Sequence, residues 1–369
     1  MGQQAKVITM EEIREPYHLF DDMMYFYNAL IKDIEDAKKT IFIELFRFHD
    51  DPFSKRILLQ LIKALERGVK IKILVDGWGT PHATTFFKEF VEAGGYLRIW
   101  DKMRFTLRLD VIIKSHHRDH RKIFTFDNEI SYFGSANISD YNLLWRELML
   151  RVNNKPLAQK LSRIFQYQYL NSSKILLNKK YKPHPIFTED FEILRDTPTL
   201  KSSIIKKRYI ELINQAKSSI VIESPYFLPS SSLRYNLEKA MKRGVKVIII
   251  TPMHSDVKTV DILRDRYLAF FYEKGAAIYL YKPTNLHSKL FVVDEQTFSI
   301  GSSNFDYRSF KHQYEITVLG NQPEILEQIR SHLIDSVKNT VSFDYDSWKN
   351  RSWFTKLKEH LIIPIRELL

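Results

Sequence analysis

The sequence predicts an α/β chain of two pseudo-symmetric halves packed face to face, each built on a mostly parallel mixed sheet. Three observations predict it. The order strand, helix, strand, helix, strand occurs twice. Glu66-Arg67-Gly68-Val69-Lys70-Ile71 lines up with Lys242-Arg243-Gly244-Val245-Lys246-Val247. A histidine and a lysine two positions apart, then an aspartate, then a Gly-Ser-x-Asn turn, occur once in each half. Two copies make a pseudo-symmetric pair rather than a solenoid. The expected boundary lies in the proline- and lysine-bearing stretch Asn178–Glu189, dividing the chain into residues 1–182 and 183–369.

The elements follow in order. Leu19, Met23, Phe26, Leu30 and Ile34 recur at helical spacing and predict a helix from about 17 to 38. Thr40–Phe48 reads as a buried strand, broken at Asp50-Asp51-Pro52. Ser54–Arg67 reads as a helix stopped by Gly68, and Val69–Val75 as the next strand. A helix through Phe86–Glu92 stops at Gly94-Gly95, before a strand at Tyr96–Trp100. The second half repeats this with a helix at Arg208–Ala216, a strand at Ser219–Glu223, and a break at Pro225-Tyr226-Phe227-Leu228-Pro229. A helix ending at Gly244, a strand at Val245–Thr251, a helix through Leu263–Glu273 and a strand at Ala277–Tyr281 complete it.

Composition bounds the function. With 44% hydrophobic and 27% charged residues over 369 positions, the chain is globular and long enough for full cores. A net charge of +12 suggests an anionic partner, either nucleic acid or an anionic membrane surface. The absence of cysteine excludes disulfides, thiolate nucleophiles and cysteine metal sites, and fits a reducing compartment. The first residues lack the apolar core of a signal peptide, and Lys6 stands where a myristoylation signal wants Ser or Thr. No stretch is long and apolar enough to span a bilayer, so any membrane work is expected from the surface.

The doubled motif carries the chemistry. The copies are His120, Lys122, Asp127 and Asn137 in the first half, and His287, Lys289, Asp294 and Asn304 in the second. Side chains two apart on a strand share a face, so each histidine and lysine should point together. Asp127 and Asp294 stand seven positions from their histidines, an odd offset, and are expected to support the turn or the strand. Two histidines, two lysines and two asparagines brought together suit displacement at a phosphodiester. One imidazole attacks phosphorus, the other protonates the leaving alkoxide, and lysine and amide groups hold the non-bridging oxygens. No metal or other cofactor is expected. A nucleophilic histidine needs a carboxylate on its other nitrogen to fix its tautomer. Glu147 and Glu315, lying 27 (147 − 120) and 28 (315 − 287) residues after their histidines, are the candidates. The cluster His116-His117-Arg118-Asp119-His120 has no counterpart in the second half, which argues against a metal site there.

These residues resemble the phospholipase D superfamily, whose signature is the doubled H-x-K-x-x-x-x-D. Within it the chain is most similar to bacterial cardiolipin synthases. Gly301-Ser302-Ser303-Asn304-Phe305-Asp306-Tyr307-Arg308-Ser309-Phe310 resembles that family's G-S-x-N-x-D-x-R-S-F, with Glu315 at its glutamate, and Pro225–Pro229 resembles its P-Y-F-x-P. The resemblance implies two phospholipase D-like domains. It also implies phosphatidyl transfer through a phosphohistidine, with His120 as nucleophile and His287 as acid and base. The residues themselves treat the two histidines alike. The segment Ser139–Glu147 departs from the family's wording, and Glu147 stands where an aspartate is common.

The expected partners are an anionic phospholipid surface and a phospholipid such as phosphatidylglycerol, with nucleic acid as the rival. One chain holds both motifs, so a monomer is expected to be active. The expected place is the inner face of the cell membrane, met from the cytoplasm. The closing segment Ser352–Leu369 and the stretch Lys102–Lys114 are the candidate interfacial patches. Rival activities are hydrolysis to phosphatidic acid and phosphodiester cleavage of nucleic acid.

Overall fold

The structure, a computed structural model, describes residues 15–100, 117–171, 183–198 and 203–366. The stretch whose periodicity reads as one helix holds two elements, β1 (Tyr17–Phe20) and α1 (Met23–Asp36). Asp22 accounts for the difference. Its carboxylate accepts from the Tyr25 N–H and starts the helix there, leaving Leu19 to the strand. β2 (Thr40–Leu45), α2 (Pro52–Glu66), β3 (Lys70–Asp76), α3 (Ala83–Phe86), α4 (Lys88–Glu92) and β4 (Tyr96–Trp100) follow. Then come β5 (Arg118–Asp119), β6 (Ile123–Phe126), β7 (Ile130–Gly134), β8 (Met149–Asn153) and α5 (Lys155–Asn171).

Beyond residue 183 lie β9 (Ile186–Phe187), β10 (Glu192–Asp196), α6 (Ile204–Gln215), β11 (Ser219–Glu223), α7 (Ser231–Lys242) and β12 (Lys246–Pro252). They are followed by α8 (Lys258–Glu273), β13 (Ala277–Tyr281), β14 (Leu290–Val293), β15 (Thr297–Gly301), α9 (Tyr307–His312) and β16 (Gln313–Gly320). α10 (Pro323–Lys338), β17 (Thr340–Ser342), α11 (Tyr345–Lys349) and α12 (Trp353–Ile362) follow, and a short 3-10 turn (Ile363–Ile365) ends the described chain.

The aligned Arg-Gly-Val-Lys segments are helix stops. Gly68 and Gly244 sit at φ 88° and 89°. Val69 and Val245 each donate 3.1 Å back to the carbonyls of Ala64 and Ala240, closing α2 and α7 alike.

Both sheets are mixed. The first runs β1-β8-β7-β6-β2-β3-β4, and the second runs β17-β13-β12-β11-β14-β15-β16-β10-β9. Parallel pairing joins β2, β3 and β4 in one and β11, β12 and β13 in the other. The motif-bearing strands β6–β7–β8 and β14–β15–β16 are antiparallel. The cause is tight turns that fold each motif back on itself. Asp127 and Asn128 (φ 52° and 58°) and Asp294 and Glu295 (φ 56° and 55°) take left-handed backbone at these turns. The two aspartates are the anchors. Asp127 accepts from the N–H groups of Lys38, Lys39 and Thr40, and Asp294 from those of Lys217, Ser218 and Ser219.

Each sheet buries one face under its own helices. The other faces meet across the molecule, where Ile123, Phe133 and Leu150 pack in one cluster with Leu290, Ile300 and Ile316. This shared core fixes the two motif strands opposite each other.

A buried charged network crosses the same boundary. His332 on α10 lies 2.9 Å from Asp21 through Nδ1 and 2.7 Å from Glu223 through Nε2. Those carboxylates, against the cost of burial, raise its pKa to about 9. A histidine raised from 6.5 in the unfolded chain to about 9 stabilises the fold fully below pH 6.5 and loses that stabilisation as pH rises through 9. His332→Gln should therefore cost roughly 3 kcal/mol near pH 6, with the gap to wild type narrowing towards pH 9. Denaturant unfolding across that range checks it, and a gap that widens with pH would contradict the ion pairing.

α12 docks on α8 through charge. Buried Glu359 pairs with Arg266 at 2.7 Å and Arg351 at 2.6 Å. Its apolar residues Trp353, Phe354, Leu357 and Leu361 face outward, 48–69% exposed. The other stretch singled out as interfacial, Lys102–Lys114, lies outside the described residues.

Candidate active site

Each histidine approaches the site along backbone of the opposite half. β5 pairs with β16 in parallel, and the His120 N–H donates to the carbonyl of Tyr314 at 3.0 Å. In the mirror position, the N–H groups of His287 and Ser288 donate to the carbonyl of Arg146 at 2.8 and 3.0 Å. Tyr314 and Arg146 are the residues just before Glu315 and Glu147. This stitching exchanges the carboxylates. Nδ1 of His120 lies 3.1 Å from Glu315, and Nδ1 of His287 lies 2.8 Å from Glu147. The near-equal sequence spacing associates each glutamate with its own histidine, but the contacts join opposite copies. A backbone bond to the residue before the glutamate delivers the partner histidine to it.

A carboxylate can only accept, so it holds the proton on Nδ1 and leaves the Nε2 lone pair free. Burial lowers the pKa of His120 well below that of free histidine, and the nearby Lys122 and Lys289 push the same way. Burial also lowers His287, but there Glu147 opposes it. Lys122 is held down to about 7 by burial and by Lys289, and Lys289 to about 8 by burial, with Glu147 and Glu315 opposing. Two buried lysines that disfavour each other's charge gain from an added anion. A phosphate between them would be one. Each Nζ donates to a histidine carbonyl at 2.6 Å, and Lys289 Nζ also lies 2.9 Å from Nδ1 and 3.0 Å from Nε2 of His287.

The structure thus brings together His120, Lys122, Glu147, His287, Lys289 and Glu315, all buried. Asp127 and Asp294 lie outside the cluster, at the turns, with their carboxylates engaged by backbone N–H groups. Each carboxylate is tied to the start of β2 or β11, away from the histidines and lysines. Asn137 accepts from the Arg47 N–H at 3.1 Å. The backbone N–H of Asn304 donates to Ser309 Oγ at 3.1 Å, and that hydroxyl donates on to Glu315 at 2.8 Å. The buried Asn304 Oδ1 has no partner among the described residues. His116 lies outside the described residues, and the ring of His117 stacks 6.4 Å from that of His312.

Several supporting residues escaped the sequence reading. Ser302 and Ser309 both donate to Glu315. Glu44 and Glu223 lie at the C-terminal ends of the equivalent strands β2 and β11, one residue before the last in β2 and last in β11, and each holds the residue between its histidine and lysine. Arg121 lies 3.5 Å from Glu44, and Ser288 donates to Glu223. The signal was present in Ile41-Phe42-Ile43-Glu44 and Ile220-Val221-Ile222-Glu223, where an apolar run of a strand is followed by a carboxylate. Aromatic rings line the histidines: Phe46 at 5.3 Å from His120, and Trp145 at 5.2 Å and Tyr226 at 6.3 Å from His287.

The family model described as cardiolipin synthase, PLD-like domain, matches residues 30–169 and 209–336. A cardiolipin synthase of Listeria welshimeri is 30% identical over 363 residues, covering 94% of this chain and 74% of that protein. One from Clostridium perfringens is 28% identical, covering 96% and 77%. Among solved structures, phosphatidylserine synthase of Haemophilus influenzae has a TM-score of 0.76 at 15% identity and covers 96% of both chains. Polyphosphate kinase of Porphyromonas gingivalis has a TM-score of 0.64 at 12% identity, covering 97% of this chain and 54% of its own. At those identities the structures speak for the fold.

Proposed function

The chain belongs to the cardiolipin synthase, PLD-like domain family and is a phosphatidyltransferase of the phospholipase D superfamily, and from that premise we propose that it moves a phosphatidyl group between phospholipids through a phosphohistidine. The observation that supports this best is the crossed pair of histidine–glutamate contacts, which builds one site from both motifs. Nε2 of His120 attacks phosphorus of a phosphatidylglycerol. The P–N bond forms, the P–O bond to the headgroup glycerol breaks, and its alkoxide takes the proton from Nε2 of His287. The hydroxyl of a second phosphatidylglycerol then gives its proton to His287 and attacks phosphorus, and the P–N bond breaks to release cardiolipin. Lys122, Lys289 and the amides of Asn137 and Asn304 hold the non-bridging oxygens. His120 takes the nucleophile's part because its pKa is held furthest down and its ring is neutral. His287 suits the proton carrier because Glu147 favours its charged form. Asp127 and Asp294 act as turn anchors. The two units, 1–182 and 183–369, share the site between them, and one chain suffices for it.

The enzyme works from a membrane surface. The outward apolar residues of α12 with Lys356 and Lys358, on a chain of charge +12, support an anionic lipid face. No described helix is long and apolar enough to cross a membrane.

Incubation with phosphatidylglycerol vesicles tests the reading. The expected products are cardiolipin and glycerol in equal amounts. Phosphatidic acid without cardiolipin would make it a hydrolase, and cleavage of labelled single-stranded DNA with no lipid product would overturn the reading outright. In the same assay Trp353→Ser with Leu361→Ser should weaken vesicle binding about a hundredfold or more, two buried apolar side chains' worth, while turnover of detergent-dispersed substrate stays near wild type. Unchanged sedimentation would remove α12 from the membrane face.

A further inference from the structure

The reaction proposed above joins two anionic lipids, so a second phosphate must sit near the one being transferred. The lysines and histidines at the centre serve the phosphate that reacts. The phosphate of the incoming alcohol, three carbons away along a glycerol, needs a cation of its own.

The rim of the site offers one. The two halves carry an arginine and a tyrosine at equivalent positions, with the identities exchanged. Three residues after Glu44 stands Arg47, and three after Glu223 stands Tyr226. Four residues after Asn137 stands Tyr141, and four after Asn304 stands Arg308. Arg308 acts electrostatically on Tyr226, whose ring lies against His287, and on His120. α9, which carries it, lies in the chain between Asn304 and Glu315, and the adjacent Ser309 donates to Glu315.

Arg308 is half-buried on α9, and its guanidinium lies 5.1 Å over the ring of Trp78. Trp78 belongs to the loop after β3 in the opposite half and is 45% exposed, so the stack is open to an arriving ligand. Arg118 stacks on the same indole at 5.8 Å, but Asp76 lies 3.6 Å from it and offsets its charge. Arg308 makes no hydrogen bond or ion pair with the described residues. The neighbouring Asp306 spends its carboxylate on the N–H of Ser309. Asp306 and Asp76 act on the Arg308 guanidinium electrostatically, but neither makes an ion pair with it among the described residues, so its fork is left to match two phosphate oxygens.

We propose that Arg308, seated on Trp78, binds the phosphate of the acceptor phospholipid and so selects a phosphate-bearing alcohol over a neutral one. This rests on the phosphatidyl-transfer reading, and the test separates the two. Wild type and Arg308→Gln are given phosphatidylglycerol together with a neutral competing alcohol, butanol, and the ratio of cardiolipin to phosphatidylbutanol is measured. The ratio is internal to each preparation, so it does not depend on how much protein is folded. It should fall about tenfold or more in Arg308→Gln, the scale of one charge-assisted hydrogen bond, and recover in part in Arg308→Lys. Added glycerol 3-phosphate should lower the ratio in wild type and leave it alone in Arg308→Gln. An unchanged ratio in Arg308→Gln overturns the subsite while leaving phosphatidyl transfer intact. The same fall in Arg47→Gln, and not in Arg308→Gln, assigns the second phosphate to the opposite rim and also overturns it. If wild type forms neither product, the transfer reading itself fails and takes the subsite with it.

Discussion

His120→Ala and His287→Ala should each lose at least about 10⁴-fold in turnover, and the double variant should lose no more than the worse single one. Residues that act as one unit are not additive, because removing either stops the same sequence of steps. The two variants should differ in what they leave behind. With the roles proposed here, His120→Ala forms no covalent intermediate. His287→Ala forms one slowly, for want of a proton for the leaving alkoxide, and then retains it. A single-turnover experiment with soluble substrate, quenched in alkali to preserve the P–N bond and read by mass spectrometry, distinguishes them. Phosphorylation of His287 in the wild type would exchange the roles. Near-normal turnover in either variant would refute a shared site.

The second large effect concerns the crossed carboxylates. Glu315→Gln should act on His120 and Glu147→Gln on His287, each slowing turnover by about 10²–10⁴-fold, because a glutamine offers its histidine no charge and a choice of tautomers. The rate lost should differ accordingly. Glu315→Gln slows formation of the covalent intermediate. Glu147→Gln slows both formation and breakdown, since His287 moves a proton in each. Nitrogen-15 spectra of the imidazoles provide the structural readout. Glu147→Gln should also lower the pKa of His287 further, because that carboxylate opposes the effect of burial. A change at His120 with none at His287 in Glu147→Gln would return each glutamate to its own copy.

Much of the fold was legible because its signals are local. Tyr96–Trp100, Ser219–Glu223 and Ala277–Tyr281 are apolar runs bounded by turn-forming or charged residues, and the strands occupy those bounds. Gly68 and Gly244 punctuate two helices whose ends need left-handed backbone. Where two local signals overlapped, the reading went astray. Leu19 keeps helical spacing with Met23 and Phe26, so periodicity ran through Asp22, though an aspartate before an apolar run is itself a start signal. The mixed sheets were expected, and their parallel pairing is confined to β2–β3–β4 and β11–β12–β13. The pull of the two tight turns, which makes the motif strands antiparallel, rests on Asp127 and Asp294 reaching strands some 80 residues earlier.

The site was legible as a set of residues and less so as a set of contacts. Two copies of a histidine–lysine motif announce themselves. Their carboxylate partners lie 195 and 140 residues away, and no spacing rule connects them. Ser309, Glu44 and Glu223 were missed for a related reason. Each does its work by touching another residue of the site, and such a contact leaves no mark in composition or period.

The crossing also orders events in time. Helices and hairpins of each half close on contacts within that half and can form early. The histidine–glutamate contacts and the backbone bonds that deliver them exist only after the two halves have met. A chain with both halves folded but undocked therefore carries every chemical group and joins no lipids. Return of activity on refolding marks docking, not the return of secondary structure. By the same reasoning, residues of the shared core such as Leu150 and Ile316 govern the chemistry without approaching it. A void there delays or loosens the meeting on which both histidines depend.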